Sequence, residues 1–460
     1  MVQRYLLYIA IISTPFFMSL KVTAFGGVGA QASFYPLFLG VLILGMNGLI
    51  FKKKMFLPKN KSFFLLIFFV LTAFFSGIFN MDSLMELHFQ GTTGDQRFFL
   101  QFGALIFYAI SALYAYNVSL NLQKDPLYIL ERLLLLSFFI PALYSSLELI
   151  AILGDASVME LLREIDTLFR PEDKIGVYPR VRSVTAEASY FGMYSAIIFP
   201  WLCSAVFNVK GWKKYIAVMI FIYFIVLNIF SFSRTSYMIL AIEMILFMLF
   251  FRVSLLQHWK RVLGILVTGS LILWGMVDFF GDMVELDLGK VYLSLFADNG
   301  VYDMSNIARY GSGLAALNLW RDFPLLGCGF GGFGFYAADY YPAWAWISPE
   351  IVIWTANTPG GAWPPVHNIY TRILSEMGIV GFVTWIMIGA LLLKEEWNLL
   401  LLNVDHHRVK NLMISTVGVF LCGFNVDMLH LLIYWMILGM VWSYRDRFYK
   451  AQVLEEKLRC

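Results

Sequence analysis

A His-Asn pair stands at the start of a long apolar stretch, PPVHNIYTRILSEMGIVGFVTWIMIGALLL, which runs from Pro364 to Leu393. Proline prevents a helix from extending upstream, so the sequence predicts that a helix begins close to His367. The positive end of a helix disfavours a protonated imidazole, and a neutral imidazole can accept a proton as a general base. The competing interpretation is that His367 only caps a helix at the membrane interface.

Two glycines follow the histidine within the same stretch. At about 100° per residue, Gly378 and Gly381 lie on the helix face that carries His367. Small residues on one face allow membrane helices to approach closely. We therefore expect a neighbouring helix to pack below His367.

Other segments contribute charged side chains that suit an anionic substrate. Arg180 and Arg182 precede Glu187, Arg234 lies in a short turn within FSFSRTSYMIL, and Arg309 begins an amphipathic stretch at 305–321. Guanidinium groups bind phosphate in a planar, two-pronged geometry. Glu187 either orients an arginine or binds a sugar hydroxyl, or it is an acid favoured at a helix start. The competing explanation for the outer basic residues is local pairing with nearby acids, namely Asp155, Glu160, Glu164, Asp166, Glu172 and Asp173.

The segment after residue 321 is rich in glycine and aromatic residues. Glycines stand at positions 327, 329, 331, 332 and 334, without the GK[ST] of a P-loop. We interpret these glycines as a flexible hinge. The aromatic residues from Tyr336 to Trp363 suit either anchoring at the membrane surface or stacking on sugar rings.

The sequence predicts that membrane-spanning helices carry these residues. Of the 460 residues, 60% are hydrophobic and 14% are charged, whereas soluble chains carry about 25% charged residues. The four cysteines form no CxxC or Cys/His cluster, so no zinc site is predicted. The apolar stretches predict about twelve spans. These spans lie near 5–20, 33–51, 63–80, 98–117, 132–153, 188–209, 215–233, 236–251, 262–280, 367–393, 411–427 and 429–444.

Lysine and arginine set the expected orientation. With the N-terminus in the cytoplasm, most of the 34 basic residues fall in inner segments, as the positive-inside rule requires. The outer basic residues concentrate in two loops, at 154–187 and 281–366. We therefore divide the chain into nine spans over 1–280, a large outer loop over 281–366, and three spans with a cytoplasmic C-terminus over 367–460. The N-terminus lacks a cleavage site and is interpreted as the first span.

This arrangement resembles the bacterial Wzy-type O-antigen polymerases and the O-antigen ligases, which are membrane glycosyltransferases of the GT-C type. The ligase signature is His, then Asn, Ser or Gln, nine residues, Gly, two residues and Gly. It is met by His367, Asn368, Gly378 and Gly381.

Further elements of the family follow in the same order. An Arg before an (E/N)-P-(S/N) element is similar to Arg182 followed by "EAS", where Ala188 replaces the usual proline. A Ser-Arg pair that closes the next hairpin resembles the pair ending at Arg234. An Arg, an amphipathic helix and a Pro-Leu-x-Gly-x-Gly element resemble Arg309 and "FPLLGCGFG". The resemblance covers residues 180–393.

The resemblance implies an all-α, GT-C-like polytopic membrane protein of about twelve transmembrane helices, with a large periplasmic loop that contains an amphipathic helix. It implies a place in the bacterial inner membrane, with the active site facing the periplasm. The implied donor is a glycan linked to undecaprenyl pyrophosphate, and the acceptor is a second glycan or, for a ligase, lipid A-core. The lipid bilayer and a chain-length regulator are the other expected partners. Neither nucleic acid, nor a cofactor, nor a catalytic metal is expected.

The resemblance also implies roles for individual residues. The expected catalytic residues are His367 as the general base, with Arg309 and Arg182 as ligands of the pyrophosphate. The expected substrate-binding residues are Arg180, Arg234, Glu187 and Asn368. The "EAS" element favours a polymerase over a ligase. A membrane transporter is the alternative from another class, with Glu148 and Glu243 as its ionisable residues inside spans.

Overall fold

The fold is almost entirely helical. The computed structural model describes residues 1–22, 26–50, 52, 54–172, 175–176, 180–257, 304–359, 361–402, 406–426 and 429–459. Within these residues the strands are His88–Phe89 and Thr92–Thr93, which pair antiparallel. Seven of the described helices are long and apolar enough to cross a membrane. The predicted all-α polytopic membrane fold is therefore confirmed.

The described helices are numbered here in chain order. The first half contains α1 Val2–Ile12, α2 Gly26–Gly29, α3 Phe34–Leu49, α4 Lys61–Phe79, α5 Met81–Glu86, α6 Gly94–Leu120, α7 Pro126–Ser137, α8 Phe139–Ile152 and α9 Ala156–Phe169. The second half contains α10 Ala188–Asn208, α11 Lys213–Phe230, α12 Arg234–Gln257, α13 Met304–Asp322, α14 Phe333–Tyr340, a 3-10 helix Ala343–Ile347, α15 Pro349–Thr355, α16 Ile369–Leu401, α17 His406–Cys422 and α18 Leu432–Arg459.

The apolar helices agree with the predicted spans where both can be compared. The seven candidate spans are α4, α6, α7 with α8, α10, α11, the Arg234–Arg252 part of α12, and α16, and each coincides with a predicted stretch. The predicted spans at 5–20 and 33–51 correspond to the shorter apolar helices α1 and α3. Those at 411–427 and 429–444 lie largely within α17 and α18. The span predicted at 262–280 lies outside the described residues, so the number twelve stays a prediction.

Helix α10 lies at the centre of the bundle. It is the most buried of the candidate spans and packs against α11, α12 and α17. Peripheral helices instead expose large apolar side chains, such as Phe64 and Phe68 on α4. Such surfaces suit lipid contact, because a bilayer solvates apolar groups and offers nothing to unpaired polar ones. Arg309 of α13 acts electrostatically on Tyr190 in the first turn of α10 and on His367 just before α16, and this junction positions the candidate site.

Candidate functional site

His367 stands immediately before the cap of the spanning helix α16. The side-chain oxygen of Asn368 accepts hydrogen bonds from the backbone N–H groups of Tyr370 at 2.9 Å and Thr371 at 3.3 Å. A helix start close to His367 is therefore confirmed. The predicted substrate-binding role of Asn368 stays a prediction, and its oxygen already serves as a helix cap. His367 itself has a φ of 58°, a conformation that is uncommon outside glycine and that concentrates at functional sites.

The imidazole of His367 packs beside an aromatic ring and has one buried ring nitrogen without a hydrogen-bond partner among the described residues. Its ring centroid lies 5.2 Å from that of Trp354. Its Nε2 atom is buried and has no hydrogen-bond partner in the described part of the chain. Burial and then the positive charge of Arg309 lower the pKa of His367 to about 4. The imidazole is therefore neutral near pH 7, as expected, although burial and Arg309 account for this instead of the helix dipole.

Arg309 is the cation that faces this histidine. It lies in the second turn of α13 and is half-buried. Within the ranges that the structure describes, its guanidinium makes no hydrogen bond and no ion pair. It lies close enough to act electrostatically on both His367 and the phenol of Tyr190. Among the described residues, neither the Arg309 guanidinium nor the neighbouring Nε2 of His367 has a hydrogen-bond partner, and this arrangement suits an anionic ligand.

The start of α10 brings a carboxylate and a phenol to the same place. Glu187 is the residue before the helix, and its backbone carbonyl accepts hydrogen bonds from the N–H groups of Tyr190 at 3.1 Å and Phe191 at 3.2 Å. Its side chain makes no capping hydrogen bond, so Glu187 does not serve the helix end in that way. Glu187 and Arg309 both act electrostatically on Tyr190.

Helix α16 is interrupted at Gly378, and the interruption fixes α13 beside it. Gly378 has a φ of 64° and a ψ of −166° inside an otherwise helical segment. The backbone of Pro324–Cys328, which follows α13, fills the gap with hydrogen bonds from Cys328 N–H to Ser375 C=O at 2.8 Å and from Ile379 N–H to Pro324 C=O at 2.9 Å. A Cβ atom on Gly378 would lie 2.1 Å from the carbonyl oxygen of Leu325.

These contacts correct two predictions. His367 and Gly378 do not share a helix face, because His367 precedes the helix and Gly378 breaks it. The neighbour that approaches closely is also not a helix but the backbone after α13. Gly327 is part of this contact, since a Cβ atom there would lie 2.2 Å from the carbonyl carbon of Glu376. These glycines therefore allow a close backbone contact, and the interpretation as a hinge does not describe Gly327.

Arg182 lies in a buried cluster of ion pairs. Its Nη2 atom is 2.9 Å from Asp166 Oδ2, and its Nε atom is 3.7 Å from Glu148 Oε1. Arg170 is fully buried in the same cluster, with its Nε atom 2.8 Å from Asp166 Oδ1. For Arg170 and Arg182, local pairing with an acid is the arrangement observed. The predicted catalytic role of Arg182 remains a prediction, and these contacts suit a residue that positions the segment before Glu187.

Arg180 and Arg234 lie on segments that touch each other through the backbone. Val181 N–H donates to the carbonyl of Phe230 at 2.7 Å, which joins the segment before α10 to the turn between α11 and α12. Arg180 is exposed, and Arg234 is the half-buried first residue of α12. Their predicted roles in substrate binding stay predictions.

Sequence reasoning missed residues that line this junction. Tyr190 follows Glu187 by three residues, so helical spacing could have placed the two side chains together. Phe17 lies edge-to-face with Tyr190 at 5.0 Å and parallel to the ring of His430 at 5.6 Å. His430 also has a buried Nε2 atom without a hydrogen-bond partner among the described residues. No sequence signal joined the loop that carries Phe17 to these helices, because the contact is entirely long-range.

The part of the chain that contains Arg234, Arg309 and His367 matches a known protein family. A family described as O-antigen ligase matches residues 218–386, somewhat more than a third of the chain. The matched region includes Arg234, Arg309 and His367, and it begins after Arg182 and Glu187. No curated protein sequence matches the chain significantly. The resemblance seen in the sequence is confirmed over this region, where residues 218–386 are similar to the O-antigen ligase family.

Proposed function

We propose that the protein is a glycosyltransferase that joins undecaprenyl-pyrophosphate-linked oligosaccharide repeat units at the outer face of the inner membrane, as an O-antigen polymerase. The observation that carries the proposal is the proximity of Arg309 to His367, on which its charge acts. Among the described residues, the Arg309 guanidinium makes no hydrogen bond or ion pair, and the buried Nε2 of His367 has no hydrogen-bond partner. The match to the O-antigen ligase family, which includes both residues, supports it.

The proposed reaction is a single displacement. A hydroxyl oxygen of the acceptor glycan forms a bond to the anomeric carbon of the donor sugar while the bond from that carbon to the pyrophosphate oxygen breaks. The hydroxyl proton passes to His367 Nε2, and the electron pair of the broken bond leaves with the lipid pyrophosphate. Arg309 stabilises the charge that develops there. One displacement without a protein nucleophile inverts the anomeric configuration, and it requires no metal ion.

The charge of Arg309 links donor binding to the strength of the base. In the free protein this charge helps to lower the pKa of His367 to about 4, which makes the imidazole a weak base near pH 7. A bound pyrophosphate offsets that positive charge, and a nearby anion stabilises the imidazolium. Donor binding therefore raises the pKa of His367 and prepares it to accept the proton of the acceptor.

The other side chains of the junction suit recognition of a sugar. The ring centroid of Trp354 lies 5.2 Å from that of His367, so an aromatic ring lies next to the proposed general base. Aromatic rings stack on sugar faces, while Glu187 and Tyr190 offer hydrogen-bonding groups to hydroxyls. We assign Arg309 to the pyrophosphate, and Glu187 and Tyr190 to the glycan.

An O-antigen ligase is the second candidate, and the description of the matching family as O-antigen ligase favours it. The same chemistry then transfers the finished glycan to lipid A-core. The "EAS" element before α10 is the feature that favours the polymerase.

A deletion strain separates the two activities. Gel analysis of its lipopolysaccharide should show cores carrying a single repeat unit if the protein is the polymerase. Bare cores with accumulated lipid-linked polymer would identify a ligase. Purified protein in vesicles, given the lipid-linked repeat unit, should lengthen the glycan. Solute uptake without any joining of glycans would overturn both and favour the transporter. A chain-length regulator is a further proposed partner, to be tested by co-purification.

A further inference from the structure

An exposed apolar surface lies on the segment that follows α14. The segment AWAWISPEIVIWT comprises the 3-10 helix and α15, and Glu350 is its one charged residue. Trp344, Trp346, Ile347, Val352 and Ile353 on this segment are between 40% and 58% exposed. We call these five side chains the tryptophan surface. Soluble surfaces rarely expose so many large apolar groups together, and such patches mark interaction sites.

The tryptophan surface is held firmly to α13. A Cβ atom on Gly311 would lie 2.8 Å from the Cβ of Ala345 and 3.2 Å from the Cδ1 of Ile351, so the segment packs directly on this helix. Ser348 Oγ also donates to the carbonyl of Met304 at 3.3 Å. The exposed side chains are therefore the outer face of an ordered unit.

That unit reaches alongside a membrane span. Residues 324–328, directly after α13, hydrogen-bond to Ser375 and Ile379 of α16, which begins at Ile369. At 1.5 Å per residue, these contacts lie roughly 9–15 Å along the helix from its first residue. The unit containing α13 and α15 therefore sits beside the N-terminal end of the span α16, which is the outer end in the predicted orientation, and is within reach of the lipid that surrounds it.

We propose that the tryptophan surface dips into the outer leaflet of the bilayer, so that lipid is its partner. Tryptophan is enriched where hydrocarbon meets lipid headgroups, and aliphatic side chains gain from entering that layer. The aliphatic Ile347, Val352 and Ile353 offer no stacking face to a sugar, which distinguishes this surface from a glycan platform. The inference does not depend on the reaction proposed above.

Lipid contact has a consequence for the site. Helix α15 exposes Val352 and Ile353, while the next residue, Trp354, lies 5.2 Å from the ring of His367. A helix of this length, Pro349–Thr355, cannot move its outer face without moving Trp354. The bilayer therefore acts as part of the frame that holds Trp354 against His367.

Spin labelling tests the proposal without reference to transfer activity. A label on Ile353→Cys is measured in vesicles of phosphatidylethanolamine and phosphatidylglycerol, with Cys460 replaced by serine and the buried Cys203, Cys328 and Cys422 retained. Collisions with oxygen, which concentrates in lipid, are compared with collisions with a water-soluble nickel chelate. Ile67→Cys on the exposed face of α4 is the lipid reference. Ala338→Cys on the exposed face of α14 is the water reference.

The label at position 353 should resemble that at position 67, with oxygen access exceeding nickel access. A profile like that of position 338 would show that the surface faces water and would overturn the proposal. Low access to both reagents would also overturn it, because another protein surface would then cover the site. A label on Trp346→Cys repeats the measurement on the 3-10 helix in case the first variant fails to fold.

Discussion

His367 combines a strained backbone with an unused polar atom. Its φ is 58°, and its Nε2 atom is buried without a partner among the described residues. Strain of this kind costs on the order of 1–3 kcal/mol and persists only where its surroundings enforce it. A buried nitrogen without a hydrogen bond also costs free energy. A proton-accepting role gives both costs a functional explanation.

The first prediction at the residue scale concerns Arg309. Arg309→Lys should lower transfer by about 10²–10³-fold, because a point charge does not replace the planar, two-pronged contact with pyrophosphate. The measurement is the rate of glycan joining by purified protein at a known protein level. Arg321→Lys, at the exposed end of the same helix, is the matched control and should be unaffected. Near-normal transfer by Arg309→Ala would remove Arg309 from the site.

The second prediction concerns pH. The pKa of His367 is lowered to about 4. The imidazole therefore stays neutral as the pH falls through about 6.5, the ordinary pKa of histidine. The acidic limb of kcat/KM, which reports the free protein, should therefore lie well below pH 6. Arg309→Gln removes one of the two causes, so the pKa of His367 rises and the limb should move upward. An identical limb in both proteins would show that Arg309 does not set the protonation of His367.

Residue identity predicted some of this chemistry and not the rest. Two prolines and the His-Asn pair predicted the helix start near His367 because capping is local. Arg182 shows the limit of such inference. An arginine before an acidic helix start has the same local sequence whether it meets a substrate or Asp166, and only the packing of α8 and α9 decides between them.

At the scale of elements, the junction of α13 and α16 determines where Arg309 and His367 meet. The carbonyl and N–H groups freed by the break at Gly378 bond to the backbone after α13. Such buried backbone groups must find partners inside a membrane. The break and the inserted backbone therefore depend on each other, and together they hold the two side chains at a fixed separation.

Gly378→Ala should disrupt this junction. Alanine is strained at a φ of 64°, and its Cβ would lie 2.1 Å from the Leu325 carbonyl oxygen. The strain alone costs about 1–3 kcal/mol, and the clash adds to it. Thermal unfolding in detergent should show a lower midpoint, together with loss of transfer. Gly103→Ala is the control, since this helical glycine on α6 has open space at its Cβ position. Equal stability of the two variants would contradict the account of the junction.

The helices at this junction were predictable, but the break was not. Apolar periodicity predicted the amphipathic helix at 305–321, and the structure has Met304–Asp322. The spacing of Gly378 and Gly381 predicted a continuous helix face lined by small residues on α16. Such a prediction assumes that regular helical geometry continues through the segment. The positive φ of Gly378 arises from a contact with residues about fifty positions away, which no local pattern contains.

At the scale of the whole molecule, the proposed reaction requires the site to face outward. We predict twelve spans with both termini in the cytoplasm, because this threading keeps most basic residues inside. In intact cells, an impermeant thiol reagent should label Ala338→Cys and should spare Lys59→Cys, both at exposed positions. Labelling of position 59 would reverse the orientation and place Arg309 and His367 on the cytoplasmic side.

Composition and the long apolar stretches were sufficient to predict the class of the molecule, because a run of about 20 apolar residues crosses a membrane as a helix, which satisfies its own backbone. It did not predict which helices would meet. Phe17 reaches Tyr190 and His430 from the other end of the chain. The central place of α10, with its start at the site, likewise follows from packing across the bundle.

The central claim is that His367 accepts the proton of the acceptor hydroxyl, and His367→Gln tests it most directly. Glutamine keeps a hydrogen-bonding side chain but cannot take a proton near pH 7. The rate of a single turnover, measured with donor pre-bound in vesicles, should fall by about two to four orders of magnitude. Donor binding should be retained, and the exposed His88→Gln should behave as the unaltered protein. A His367→Gln protein that turns over at nearly the normal rate would show that the imidazole only positions the acceptor, and it would contradict the account.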